Sequence, residues 1–237
     1  MKLLRYSYTL LILLSLASSC TKTPVLPENE KIWLHRANRI EKAKLFQYAY
    51  TGLEIDIIFD DAMGTFLVKH DAAEPSYTTL DRWCQAVDNC SELGIWFDFK
   101  NLNANNRDAA LACLQQLRQR HHLHGKLYVE SPAYLHLGVF QEAGFLVSYY
   151  IPDFNPLQDD DCGLQHLATI QDAIDHGVDA ISGSELQYAF MKEHFPNQTL
   201  LIWTINTDLE YQRRLMDPMV NDSLVAVLLL PNTILEN

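Results

Sequence analysis

The chain has 237 residues, of which 48% are hydrophobic and 20% are charged, with nine Gly and nine Pro. This composition excludes a disordered tail, a collagen-like fibre and a low-complexity linker, and the length fits one large domain or two small ones. The formal net charge of −12 argues against nucleic acid as the main partner, because phosphate backbones are bound by clustered Lys and Arg. A small phosphate bound through a divalent cation is still compatible with such an acidic chain.

The first residues have the pattern of an export signal. Lys2 and Arg5 precede an apolar stretch, Tyr8–Leu16, which is too short to span a membrane comfortably and ends in small residues before Cys20. The pattern resembles a bacterial lipoprotein signal, and an ordinary secretory signal with a coincidental cysteine is the alternative. We predict a signal peptide at residues 1–19, lipidation of Cys20 and a polar tether over residues 20–31. The protein would then be exported and anchored to a membrane, facing the periplasm or the cell surface.

Residues 32–237 are predicted to form one domain in which short apolar runs alternate with amphipathic segments. The runs have the length and composition of buried parallel strands, and segments such as Arg107–Gln119 have helical spacing. The predicted strands are Ile32–His35, Gly52–Ile58, Gly94–Phe99, Lys126–Glu130, Phe145–Ile151, Ala180–Ser182, Leu200–Ile205 and Leu224–Leu230.

Eight strands alternating with helices predict an α/β fold, the (β/α)8 TIM barrel. One hairpin-like segment, Phe66–Lys69, interrupts the alternation. A doubly wound open sheet is the main alternative, although no Gly-rich phosphate loop follows any of the runs.

The cysteines show no CxxC spacing, so the sequence predicts no zinc site. Cys84 and Cys90 could form a disulfide between the end of a helix and the loop after it. Two buried free thiols are the alternative.

Acidic residues occur inside two of the predicted strands. Glu54 and Asp56 lie two positions apart and therefore point to the same side of a strand, within a segment that is otherwise apolar. Two buried carboxylates less than about 7 Å apart repel each other unless a cation lies between them. Asp98 lies in the next strand with Lys100 on the same side, where a buried ion pair is the alternative to metal binding. Three carboxylates suit Mg²⁺ or Ca²⁺.

Two histidines follow strands near this cluster. His35 ends the first run, and His70 follows the hairpin with Asp71 beside it. Two imidazoles flanking a carboxylate cluster are typical of general acid–base catalysis at phosphorus. Glu130, at the end of the fourth run, is predicted to contact the substrate, with a structural cap as the alternative.

These motifs together are similar to those of the glycerophosphodiester phosphodiesterase family. The similarity spans residues 32 to about 206 and rests on His35-Arg36, Glu54-x-Asp56, His70-Asp71, Asp98-x-Lys100 and Trp203-Thr204-Ile205-Asn206.

The resemblance implies a (β/α)8 barrel of the phospholipase-C-like phosphodiesterase type with one divalent cation, Ca²⁺ or Mg²⁺. By position, the metal ligands would be Glu54, Asp56 and Asp98. The acid–base pair would be His35 and His70. Contacts to the phosphate would come from Arg36 and Lys100, and Trp203 would line the pocket.

Several positions depart from the family pattern. Ala37 stands where the family has Gly after His-Arg, and Asp98 stands where the third metal ligand is usually Glu. Only residues 72–97 separate Asp71 from Asp98, so the insertion that shapes the glycerol end of the family's pocket is largely missing. The sequence therefore predicts the type of reaction more closely than the identity of the substrate.

The predicted function is that of an exported, metal-dependent phosphodiesterase that hydrolyses glycerophosphodiesters or related lipid headgroups. One alternative is a lyase-type phospholipase that releases a cyclic phosphate. Another is a catalytically inactive barrel that binds headgroups or glycans at the cell surface.

Overall fold

The computed structural model describes residues 29–76, 78–156 and 163–232. The predicted signal peptide and Cys20 lie outside this part of the chain. None of the helices within it has both the length and the apolar character that crossing a membrane requires.

Nine strands and seven helices make up the described part of the chain, with two short 3₁₀ turns. In chain order they are β1 Ile32–Leu34, α1 Ile40–Phe46, β2 Gly52–Asp60, β3 Thr65–Val68, α2 Leu80–Ala86, β4 Gly94–Phe99, α3 Arg107–Arg120, β5 Leu127–Ser131, α4 Gly138–Glu142, β6 Leu146–Tyr150, α5 Leu167–Asp175, β7 Ala180–Ser184, α6 Tyr188–His194, β8 Thr199–Trp203, α7 Leu209–Val220 and β9 Val225–Leu230.

Eight of the strands form a closed parallel barrel. The strands pair in the order β1-β9-β8-β7-β6-β5-β4-β2, and β1 also pairs with β2, with Leu34 opposite Leu53. This last pairing closes the sheet, which confirms the predicted (β/α)8 barrel and excludes the doubly wound open sheet. β3 lies outside the closed ring, antiparallel to β2, and corresponds to the predicted hairpin.

Successive side chains along each strand point alternately to the outside and to the inside of the barrel. In β2, Leu53, Ile55 and Ile57 face outward and pack in the main hydrophobic core, whereas Glu54 and Asp56 belong to the inward-facing set. Apolar residues on the helices complete this outer core. Burial against the helices therefore holds the barrel together and leaves the upper interior free for polar side chains.

Trp33 fills the lower end of the barrel. Its ring contacts Tyr128 edge-on, with 6.0 Å between ring centroids. A Cβ atom added to Gly52 would lie 2.1 Å from this ring, and one added to Gly94 would lie 2.3 Å from it. Glycine is therefore required at the start of β2 and β4, because any side chain there would occupy the space of the indole.

We expect Gly94→Ala to lower the free energy of unfolding by about 1–3 kcal/mol, because the new methyl group overlaps Trp33 in a closely packed interior. Urea unfolding followed by circular dichroism measures the change. Gly138→Ala is the matched control, because nothing lies within 4 Å of a Cβ at that helical position. Equal stability of Gly94→Ala and the wild type would contradict the tight packing around Trp33.

The chain just before β1 is bound to the lower end of the barrel. The Lys31 ammonium donates a hydrogen bond to the carbonyl of Asp222 at 2.9 Å, and the backbone N–H of Leu228 donates to the carbonyl of Lys31 at 2.7 Å. The chain thus enters the barrel at the end opposite to the carboxyl ends of the strands.

Candidate active site

An open cleft of about 180 Å³ lies at the carboxyl ends of the strands. All nine residues for which the sequence predicted a metal, catalytic or substrate role line it: His35, Arg36, Glu54, Asp56, His70, Asp98, Lys100, Glu130 and Trp203. Trp96, Pro132, Tyr150, Ile205 and Leu229 complete the lining. The barrel therefore brings together residues that are up to 194 positions apart in the chain.

Three carboxylates converge on one point of the cleft. Glu54 and Asp56 lie on β2, and Asp98 lies opposite Asp56 on the neighbouring strand β4. Each of the three offers an oxygen within 4.8 Å of the others. Glu54 and Asp56 are buried, and Asp98 is partly exposed at the floor of the cleft.

The pKa values of the three carboxyl groups are shifted because the groups lie close together and are largely buried. Burial, followed by repulsion from Asp56 and Asp98, raises the pKa of Glu54 well above its usual range. Burial also raises the pKa of Asp98, although Lys100 acts in the opposite direction. The pKa of Asp56 is lowered, because Lys100 and Asn38 outweigh the effect of its burial. The cluster carries more negative charge than its protein neighbours neutralise.

Lys100 is the cation closest to this cluster. Its ammonium lies 2.8 Å from Asp56 Oδ1 and also contacts the carboxylate of Asp98. These two carboxylates raise the pKa of Lys100 although its partial burial opposes the shift, so the ammonium stays charged. The Asp–Lys ion pair that the sequence left as an alternative is thus present, but among the described residues Glu54 has only His35 within ion-pair distance, and that ring is neutral at pH 7.

The donor set fits a divalent metal. Three carboxylate oxygens within one coordination distance of a common point are hard ligands, which Ca²⁺ and Mg²⁺ prefer. The surplus negative charge on Glu54 would be relieved by such an ion. Glu54, Asp56 and Asp98 are therefore the residues that could hold it.

Asn38, which the sequence analysis did not single out, fixes the orientation of Asp56. Its amide donates to Asp56 Oδ2 at 2.7 Å, and its side-chain oxygen accepts the backbone N–H of Asp56 at 2.9 Å. Only the turn after β1 brings the two residues together. The nearness of Asn38 to His35 in the sequence was the one available signal.

Removing this support should weaken metal binding more than it weakens the fold. We expect Asn38→Ala to lower the affinity for Ca²⁺ or Mg²⁺ by about 10–100-fold, the usual effect of deleting a hydrogen bond to a ligand. Isothermal titration calorimetry measures this, with the exposed Asn197→Ala as the control. An unchanged affinity would show that Asp56 keeps its orientation without Asn38.

His35 is buried beside the carboxylates, and its hydrogen bonds define its tautomer. Nδ1 lies 2.8 Å from the carbonyl oxygen of Thr204, which can only accept, so Nδ1 carries the hydrogen. Nε2 is then the free nitrogen of the neutral ring and lies 3.7 Å from Glu54 Oε2. Burial, assisted by Arg36, lowers the pKa of His35 to about 4, so the ring is neutral at pH 7. A neutral imidazole with a free Nε2 can accept a proton.

Arg36 follows His35 in a backbone conformation that non-glycine residues rarely adopt, with φ of 54°. The buried Glu54 holds it there. The Arg36 backbone N–H donates to Glu54 Oε2 at 2.7 Å, and the N–H of Ala37 donates to the Glu54 carbonyl at 2.8 Å. The turn directs the Arg36 side chain into the cleft, and Glu54 serves the backbone as well as the carboxylate cluster.

Two buried side chains support the same turn from below. Lys42 on α1 donates to the carbonyl of His35 at 3.1 Å, and the indole N–H of Trp83 on α2 donates to the carbonyl of Ala37 at 2.9 Å. Neither residue was singled out from the sequence. The side chains of Lys42, Trp83 and Glu54 together hold the turn at residues 35–37 in a strained backbone conformation that its own sequence does not favour.

His70 lines the same cleft and is more exposed than His35, with 39% of its side chain accessible. Its Nδ1 lies 3.2 Å from Asp71 Oδ2, as the sequence anticipated from their adjacency. His70, Asp71 and Glu74 also bring ligand atoms within 4.8 Å of one another. That group is largely exposed and differs in this respect from the buried cluster on β2 and β4.

An aromatic wall and a buried acid complete the site. Tyr150 and Trp203 stack at 6.2 Å between centroids, and the Trp203 ring lies 6.3 Å from that of His35. Glu130 Oε2 and Trp203 Nε1 are buried with no hydrogen-bond partner among the described residues, whereas Ser182 and Trp96 lie beside the Glu130 carboxyl and act to lower its pKa. Burial and the nearby Asp98 raise the pKa of Glu130 well above its usual range. Buried polar atoms that line a cleft and have no protein partner are free to bind a ligand.

No protein-family model and no curated protein sequence matches the chain. Solved structures do. A glycerophosphodiester phosphodiesterase from Parabacteroides distasonis has a TM-score of 0.56 at 15% identity, covering 86% of this chain and 94% of that one.

Two further solved structures have the same fold. A phosphodiesterase from Oleispira antarctica, in complex with the product sn-glycerol-3-phosphate, has a TM-score of 0.59 at 12% identity, with 84% and 93% of the two chains covered. A calcium-dependent phosphoinositol-specific phospholipase C from a Pseudomonas species has a TM-score of 0.55 at 11% identity, with 84% and 88% covered. The predicted resemblance to the glycerophosphodiester phosphodiesterases is thus confirmed at the level of the fold.

Proposed function

We propose that the protein is a metal-dependent phosphoric diester hydrolase that acts on glycerophosphodiesters or related lipid headgroups. The observation that carries this proposal is the cleft itself. One cavity contains three converging carboxylates, two histidines, and the side chains of Arg36 and Lys100. An inactive barrel would not need to keep all of these groups together.

The structural neighbours support the same reaction class. Several are phosphodiesterases; one of them holds sn-glycerol-3-phosphate, and another is described as calcium-dependent. Together with the acidic cluster, these properties support a small phosphodiester as substrate and a divalent cation as cofactor for this chain.

The metal ion would be held by Glu54, Asp56 and Asp98. When bound, it would draw charge from a phosphate oxygen and favour attack at phosphorus. Arg36 and Lys100 line the same cleft and would stabilise the negative charge that develops on the other phosphate oxygens.

The two histidines would move the protons. The free Nε2 of the neutral His35 would accept a proton from the attacking water, while His70, in the lining of the same cleft, would donate one to the leaving alkoxide. Water attack breaks one P–O ester bond and yields an alcohol and a phosphomonoester. Attack by a hydroxyl group of the substrate itself would give a cyclic phosphate instead.

Glu130 and Trp203 would bind the part of the substrate beyond the phosphate. Both offer buried polar atoms without a protein partner, one an acceptor and one a donor. A hydroxyl group could satisfy both, because it donates to a carboxylate and accepts from an indole N–H.

Phosphorus NMR during incubation with glycerophosphocholine, with and without a chelator, tests the reaction. We expect an open phosphomonoester signal that disappears with the chelator and returns with Ca²⁺ or Mg²⁺. A cyclic phosphate signal would identify the lyase reaction. Binding of the ligand without turnover at any metal concentration would favour the inactive barrel.

We also propose that the protein is exported and membrane-anchored through Cys20. The support is the sequence pattern of residues 1–31. Metabolic labelling with palmitate should mark the wild type and leave Cys20→Ala unlabelled. Labelling of both, or of neither, would contradict the anchor.

A further inference from the structure

Two cysteines outside the cleft lie side by side in the described structure. Cys84 lies in the last turn of α2, and Cys90 lies in the turn that leads to β4; both are buried free thiols. Both line the same surface cleft, and the neighbouring Cys90, together with burial, raises the pKa of Cys84 well above its usual range. Of the two alternatives left open by the sequence, the structure shows the free thiols, six positions apart and beside one cleft.

The backbone around the pair is held in place by hydrogen bonds. The Val87 N–H donates to the carbonyl of Trp83 at 3.2 Å, and the Cys90 N–H donates to the carbonyl of Val87 at 3.1 Å. The Asn89 N–H donates to Gln47 Oε1 at 2.8 Å and ties the turn to the end of α1. The backbone positions of the two cysteines are therefore fixed by hydrogen bonds within the fold.

The pair lies directly beneath the protein surface. Both cysteines, although only 3% and 4% exposed, line an open surface cleft of about 430 Å³, whose other lining residues include His121, His122 and His124. Among the described residues, no three of these side chains bring ligand atoms within 4.8 Å of one another. The arrangement is therefore open to thiol chemistry and lacks a preformed metal site.

We propose that Cys84 and Cys90 are a reversible disulfide site that is closed by exchange with a small disulfide. One thiolate attacks the small disulfide and releases one reduced thiol, leaving a mixed disulfide on the protein. The second cysteine then displaces the other half as a second reduced thiol. One protein disulfide forms, the two thiol protons pass to the two released thiolates, and the small disulfide takes up the two electrons.

The two cysteines lie close to Trp83, whose side chain supports the turn that carries His35 and Arg36. Cys84 is next to Trp83, whose indole N–H holds the Ala37 carbonyl behind His35 and Arg36. Closing the bond fixes the end of α2 to the turn before β4. The disulfide would therefore reduce local opening of the helix that carries Trp83.

Peptide mapping tests the proposal directly. Trypsin releases residues 83–100 as one peptide that contains both cysteines and no internal Lys or Arg. After the folded protein is incubated with oxidised glutathione and alkylated under denaturing conditions, we expect this peptide to be unlabelled and about 2 Da lighter than its reduced form. Reduction with dithiothreitol should restore two alkylation sites.

Two variants sharpen the result. Cys113→Ser should leave the peptide result unchanged, because Cys113 lies on α3, away from the pair. The oxidised wild type should melt roughly 2–5 °C above the reduced protein, and Cys84→Ser should abolish this difference. Two labels on the peptide after oxidation, or a persistent glutathione adduct on either cysteine, would overturn the proposal.

Discussion

Replacing His35 with alanine should lower kcat/KM for phosphodiester hydrolysis by about 10²–10⁴-fold, the usual contribution of one acid–base group. The reason is geometric. Nδ1 is committed to the Thr204 carbonyl, so Nε2 is the nitrogen that faces the site and can accept a proton. His35→Gln, which keeps much of the volume and a donor toward Thr204, should be equally inactive. Steady-state kinetics on both variants measure the loss, and circular dichroism checks that they fold.

The leaving group separates the roles of the two histidines. p-Nitrophenolate leaves without needing a proton, so bis-p-nitrophenyl phosphate should restore much of the activity of His70→Ala and little of that of His35→Ala. The exposed His124→Ala serves as the control and should behave like the wild type. Rescue of His35→Ala but not of His70→Ala would reverse the assignment of base and acid. Wild-type turnover by either variant would remove that histidine from the mechanism.

Glu54→Gln should abolish metal-dependent activity and at the same time stabilise the metal-free protein. The raised pKa of Glu54 means that its ionised form is disfavoured in the folded state. The stability of the metal-free protein therefore falls as the pH rises from the ordinary pKa of a glutamate to the higher folded pKa of Glu54, and an amide, which does not titrate, avoids this loss. We expect the free energy of unfolding of the chelated protein to rise by about 1–3 kcal/mol. The Gln oxygen can still accept the Arg36 N–H.

Thermal unfolding with and without metal provides the measurement. Ca²⁺ or Mg²⁺ should raise the melting temperature of the wild type, because a ligand that binds only the folded state stabilises it. This shift should be small or absent in Glu54→Gln and unchanged in Glu193→Gln, which alters an exposed glutamate. A full metal-induced shift in Glu54→Gln would exclude Glu54 as a ligand.

The barrel could be predicted from the sequence because each strand combines an apolar run with an alternating pattern of side chains. In β4, for example, Trp96 and Asp98 alternate with Ile95 and Phe97, and the structure places the two sets on opposite faces. The same alternation placed the acidic residues of β2 inside. The local sequence pattern was sufficient to predict the face on which each side chain lies, because successive residues of a pleated strand point to opposite faces.

The features that were not predicted from the sequence depend on contacts between distant parts of the chain. α1 was not predicted, since it is only seven residues long and places the charged Lys42 on its buried face. The support from Trp83 joins residues 46 positions apart. The segment after β5 begins with a 3₁₀ turn over Tyr134–His136, and α4 starts only at Gly138. Such details follow from tertiary packing and have no local signal.

Trp33 determines from which end of the barrel a ligand can reach the three carboxylates. Because its indole fills the lower end against Gly52 and Gly94, ligands can enter and leave only at the upper end, through the cleft. If the proposed reaction takes place here, the cation, the diester and both products would share this one opening. A product that stayed bound would then block the next diester.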